Sequence, residues 1–134
     1  MSSQPISAVS PDELQALKKS RKSIIEGTVA RMLADPDFLK IFGDQSEEKA
    51  LSGITFTAET FETIMGIGAP DMVGQQLSWG KDYLPSVGIS VEMVLRNFEL
   101  FSEVMQEKLP STQYPGLANW MHFIISKQRE IINT

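Results

Sequence analysis

The chain has 134 residues, 42% of them hydrophobic and 22% charged, with no cysteine and a formal net charge of −5. These values fit one soluble domain large enough to bury a core. They exclude disulfide frameworks, thiolate metal sites and cysteine nucleophiles, and argue against general binding to nucleic acid or to an anionic membrane surface.

Residues 1–9 of MSSQPISAVS lack the charged and apolar regions of a secretory signal and read as a disordered lead before a domain spanning 10–134. No apolar run approaches the ~18–20 residues that span a bilayer, and a cytoplasmic protein is expected. Ser10-Pro11-Asp12-Glu13 then opens the first helix: a serine cap, proline at the first helical position and glutamate at the third form a capping box. Leu14, Leu17, Ile24, Ile25, Val29, Met32 and Leu33 give that helix an apolar stripe. Gly27 interrupts it, which predicts a bend or a close approach. The cluster Lys18, Lys19, Arg21 and Lys22, flanked by Asp12, Glu13 and Glu26, reads as a solvated face.

Asp35-Pro36 starts a second, short helix with Phe38, Leu39, Ile41 and Phe42, stopped by Gly43. Ser46-Glu47-Glu48 is a second cap signal, for a short helix through Leu51. Gly53-Ile54-Thr55-Phe56 is locally β-like without a partner strand, and is read as a loop. Thr57 is then expected to cap a short helix holding Phe61, Ile64 and Met65, ended by Gly66 and Gly68. Pro70-Asp71 opens a helix to about residue 86 with Val73, Leu77, Leu84 and Val87 on one side and Trp79 and Tyr83 on an adjacent strip. Pro85 is expected to distort its last turn.

Val87-Gly88-Ile89-Ser90 reads as a sharp corner, with Gly88 at the left-handed position that ends one helix and Ser90 capping the next. Val94, Phe98, Phe101, Met105 and Leu109 form one face of a long helix over 91–108, stopped by Pro110. A last helix begins near Pro115. Its apolar residues Leu117, Trp120, Met121, Phe123, Ile124, Ile125, Ile131 and Ile132 span more than half its circumference, while Gln128 falls within the stripe. One face suffices to pack on the preceding helix, and the surplus predicts a two-fold homodimer through Leu117, Trp120, Met121, Ile124, Ile125, Ile131 and Ile132. The chain stops at Ile131-Ile132-Asn133-Thr134 without a stop signal, so the helix is expected to run on as a linker.

Catalytic chemistry finds no support in these residues. The one histidine, His122, lies off the apolar stripe of its helix, no Glu-x-x-His pair exists, and the glycines do not form a phosphate loop. No enzyme, metal or cofactor is expected. Phe61, Met65, Trp79, Leu84, Phe98 and Phe101 are the residues that would line a pocket or fill a core. Large side chains at Phe61, Met65, Leu84, Phe98 and Phe101 predict that the space between helices 58–66, 70–86 and 91–108 is filled mainly by protein.

The succession of a long helix, a short one, loops, a helix before a Gly-Ile corner and two long final helices resembles a globin. Haem globins carry the proximal histidine four residues before the corner glycine; here that position is Leu84. Val87-Gly88-Ile89-Ser90 with Asn97-Phe98 and Leu100-Phe101, and the tail Ser126-Lys127-Gln128-Arg129-Glu130-Ile131-Ile132, are similar to the amino-terminal domain of RsbR-type stressosome proteins. That resemblance implies an all-α, non-haem globin sensor, dimeric and without a cofactor. It would precede a STAS domain in a complex of RsbR and RsbS proteins that holds the RsbT kinase and releases it under stress. The competing expectation is a globin-like domain that keeps an apolar molecule, such as a fatty acid, in the vacated haem space.

Overall fold

A computed structural model describes residues 6–133, and these form an all-α domain of six helices with no strand among the described residues. The helices are α1 (Pro11–Leu33), α2 (Pro36–Phe42), α3 (Ser46–Ile67), α4 (Pro70–Tyr83), α5 (Val91–Lys108) and α6 (Pro115–Ile132), with tight 3-10 turns at Gly43–Gln45 and Leu84–Val87. No helix among the described residues is long and apolar enough to cross a membrane.

The boundaries follow local chemistry. Ser10 Oγ accepts the Glu13 amide at 3.2 Å, completing the capping box. Asp35 Oδ1 accepts the Asp37 amide at 2.9 Å, and Ser90 Oγ accepts the Met93 amide at 3.1 Å. Each satisfies a donor that the first helical turn leaves unpaired. Gly88 takes a left-handed conformation, φ +89°, at the corner before α5. Pro85 sits in the 3-10 turn that replaces the last turn of α4, as its missing amide requires.

The core lies where α1 packs on α3 and α5, and α5 on α6. Ile24 of α1, Ile64 and Met65 of α3, Val104 and Met105 of α5, and Trp120 and Met121 of α6 are almost wholly excluded from solvent. Burial of one such side chain contributes ~1.5–3 kcal/mol. Gly27 lets α1 and α5 touch: a Cβ there would stand 2.8 Å from Val104 Cγ1. The predicted interruption is therefore a close approach, with α1 continuous through it.

Two expectations are corrected. Residues 53–56 do not form a loop, and the two short helices expected on either side of them are one: α3 runs unbroken from Ser46 to Ile67 and ends at Gly68, φ +76°. Ala50, Ile54, Ala58, Phe61 and Met65 recur at three- and four-residue steps and are all buried, so tertiary packing outweighs the poor helix propensity of Gly53, Ile54 and Thr55. Thr57 caps nothing; its hydroxyl donates back to the Gly53 carbonyl at 3.0 Å, one turn earlier.

The lead is also more ordered than expected over residues 6–9, while residues 1–5 of that expectation lie outside the described residues. Val9 is buried and its amide donates to Met65 O at 3.0 Å; the Ser7 carbonyl accepts Trp120 Nε1 at 2.8 Å. Ala8 presses against Gly68 so closely that a Cβ there would meet Ala8 N at 2.5 Å. Glu13 adds a further tie, accepting the Gly116 amide at 2.7 Å at the start of α6, where the helix dipole favours an anion.

Candidate functional site

An apolar cleft of about 600 Å³ opens among the described residues. It lies between α3 and α4, which join at Gly68 but make few contacts with each other, and is closed behind by α5 and at one end by α2. Its floor is buried: Ile54, Phe61 and Ile64 from α3, Val73 and Leu77 from α4, and Phe98 from α5. Phe61 ties this floor together, meeting Phe98 edge-on at 5.2 Å and Phe101 at 5.6 Å between ring centroids.

The rim is different. Phe56, Trp79, Tyr83 and Val87 line the cleft yet remain about half exposed, at 54%, 51%, 48% and 45%. Trp79 and Tyr83, four residues apart on α4, stack with centroids 5.0 Å apart and planes 18° from parallel. Large aromatic rings held at the edge of an apolar hollow form an exposed patch of the kind that soluble proteins use for binding. Polar groups in the lining include Asn97 and Gln128. Gln128 is buried and its Nε2 donates to the Val91 carbonyl at 3.0 Å, which pins α6 to the first turn of α5 at the back of the cleft.

Of the predicted pocket residues, Phe61, Trp79, Leu84 and Phe98 line the cleft, whereas Met65 and Phe101 are buried in the closed core beside it. The expectation that side chains fill this space is overturned. α3 and α4 spread apart beyond the Gly68 corner, and the rings of α4 stay on the rim instead of turning inward. Sequence reasoning missed Ile54, Phe56 and Gly53, because α3 was not recognised there.

The predicted dimer face is corrected in part. Leu117, Trp120, Met121 and Ile124 are enclosed by α5, α4 and residues 6–9 of their own chain, with at most 1% exposure. Ile125, Ile131 and Ile132 are half-buried. Much of the apolar surplus of α6 is thus absorbed within the monomer.

Several charged groups elsewhere are tied up structurally. The Glu62 carboxylate, buried against α1, receives Arg21 Nε at 2.5 Å and Nη2 at 2.7 Å, and this hydrogen bonding raises the Arg21 pKa further. A more open hollow of about 390 Å³ surrounds that pair, lined by Lys18 and Glu59 together with the apolar Leu14 and Ile67. Asp35 Oδ2 pairs with Arg96 Nη1 at 2.6 Å, joining the cap of α2 to α5. His122 is exposed on α6 and does not line the cleft, and no described cluster of three histidines, cysteines or carboxylates is arranged to hold a metal. The cleft offers no histidine or cysteine to a haem iron, and Leu84 is apolar.

Comparison with protein-family models, with curated proteins and with solved structures finds no match to this chain.

Proposed function

We propose that this domain is a non-enzymatic sensor whose input is an apolar small molecule held in the cleft between α3, α4 and α5. The observation that carries this reading is the cleft itself: about 600 Å³ of space over a buried apolar floor, within the size range of ligand pockets. The helix order and the position of the cleft, beside the Gly88 corner and against α5, support a globin-like fold with the ligand in place of haem. The absence of an acid–base or nucleophile pairing in the lining favours binding over catalysis.

The short resemblance at Val87–Ser90, Asn97–Phe101 and Ser126–Ile132 supports the output side. On this reading the domain belongs to an RsbR-type cytoplasmic stressosome protein, acts as a homodimer and biases release of an RsbT-type kinase through a downstream domain. Gln128 supports a route for the signal, since it lies on α6 and also lines the cleft.

The test is extraction. Protein purified without added ligand is denatured in organic solvent and the extract analysed by mass spectrometry, beside Gly53→Trp. Gly53 lines the cleft, faces open space and lies in a helix, so the larger side chain fits the fold and obstructs the site. One apolar compound per chain, lost from the variant, is expected. An empty wild-type protein that also takes up no apolar molecule when challenged contradicts the proposal.

A further inference from the structure

The cleft has a charge pattern that its apolar character conceals. The chain carries 17 acidic residues and a net charge of −5, yet among the described residues no aspartate or glutamate lines the cleft. The two charged residues that do are both cationic: Lys49, near the start of α3, and Lys81, near the end of α4. Both are exposed, so they stand at the mouth with Phe56, Trp79 and Tyr83 and not on the floor. The site therefore grades from a buried aliphatic and aromatic base to an aromatic rim with positive charge at its edge. Lys49 forms no ion pair among the described residues. Lys81 already interacts within the chain, so Lys49 is the side chain on which the argument chiefly rests.

From this grading we infer that the ligand is an amphiphile: a single apolar chain that fills the cleft, with an acidic head, carboxylate or phosphate, at the lysine-bearing mouth. The inference rests on the reading of the cleft as a ligand pocket and adds the charge and orientation of its occupant. The head stays in partial contact with water, where an ionised group carries little desolvation cost, while the tail removes apolar surface from water. Lysine suits this role, because its long stem can lie along the apolar rim and leave the ammonium at the solvent edge. A cationic ligand would meet repulsion at the same mouth. A neutral one would bind through the floor alone and ignore the lysines.

The experiment compares palmitate, methyl palmitate and monohexadecyl phosphate by displacement of an apolar fluorescent probe from the full chain, at low and at high salt. Wild-type protein should bind both acids one per chain, with the ester several-fold weaker. Lys49→Glu should weaken the acids by a few fold and leave the ester unchanged; adding Lys81→Glu should bring the loss to about tenfold, each exposed charge contributing modestly. High salt should narrow the gap between acid and ester. Preference for one acid over the other identifies the head group. Equal binding of ester and acids, insensitive to Lys49→Glu, overturns the acidic head while leaving the pocket in place. If none of the three binds and Gly53→Trp changes nothing, the pocket reading falls as well. A monomer–dimer equilibrium abolished by Gly53→Trp and indifferent to palmitate would instead make a second copy of the chain the occupant, and would overturn the inference.

Discussion

The two tryptophans of this domain mark its two halves. Trp120, on α6, is 1% exposed, its ring edge-on to Phe123 and its indole nitrogen bonded to the Ser7 carbonyl. Trp79, on α4, is 51% exposed and stacks on a tyrosine that is itself half in water. Around Trp120, α5 and α6 interlock with residues 6–9 laid against them, and α5 alone buries six side chains. Around Trp79, helix α4 buries only Val73 and Leu77 and stands off from α3. Apolar residues at helical spacing fill space in one half and surround it in the other. The same amphipathic pattern thus yields either a core or a binding site, depending on whether the neighbouring helix closes down.

Alanine in place of each tryptophan gives the widest split. Trp120→Ala should destabilise the domain by about 3–5 kcal/mol in a denaturant melt, since it opens a cavity in close-packed surroundings and orphans the Ser7 carbonyl. Phe98→Ala should fall near 3 kcal/mol, the low end for a phenylalanine, because one side of that ring already faces the cleft. Values for Trp120→Ala and Phe98→Ala below about 1 kcal/mol would erase the distinction between packed and open halves. Gly27→Val should cost about 1–3 kcal/mol by overpacking against Val104, although the change favours the helix locally.

A smaller, pH-dependent effect belongs to the tie between α2 and α5. Burial disfavours the charged form of Asp35, but the Asp37 amide and the Arg96 guanidinium outweigh it and hold this carboxyl below its usual range. A depressed folded pKa adds stability above the unfolded value, about 4, and that stability is lost as pH falls through the folded one. Melts taken from neutral pH down to about pH 3 should therefore show a shallower acid loss for Asp35→Asn than for the wild type. At the other extreme, Trp79→Ala should change stability by under ~0.5 kcal/mol, as expected for an exposed residue, while weakening ligand binding.

Helix caps were the most legible part of the chain. Ser10, Asp35-Pro36 and Ser90 announce their helices by side-chain chemistry that acts within one turn, and Gly88 announces a corner by its conformational freedom. α3 was not legible across Gly53–Phe56, because β-branched residues and glycine weaken a helix locally while the decisive stripe, Ala50 to Met65, is stabilised by tertiary packing, chiefly on α1 and through Phe61 on α5. Val9 beside the cap, with Leu14 five positions on, is the pattern of a hydrophobic staple and could have revealed that the segment before α1 is held down. Phe61, Leu84 and Phe98 line one space. Whether that space is filled depends on how far α3 and α4 separate after Gly68, which no periodicity encodes.

Trp79 offers the most direct measurement of the central claim, because it stands at the mouth of the cleft while Trp120 is sealed away. Palmitate is titrated into the full chain and tryptophan emission followed, with Trp79→Phe as the control. The account predicts a blue shift that saturates at one palmitate per chain and is absent from the control, as the rim ring passes from water to apolar cover. Emission that stays unchanged throughout the titration, or that shifts equally in Trp79→Phe, would contradict it.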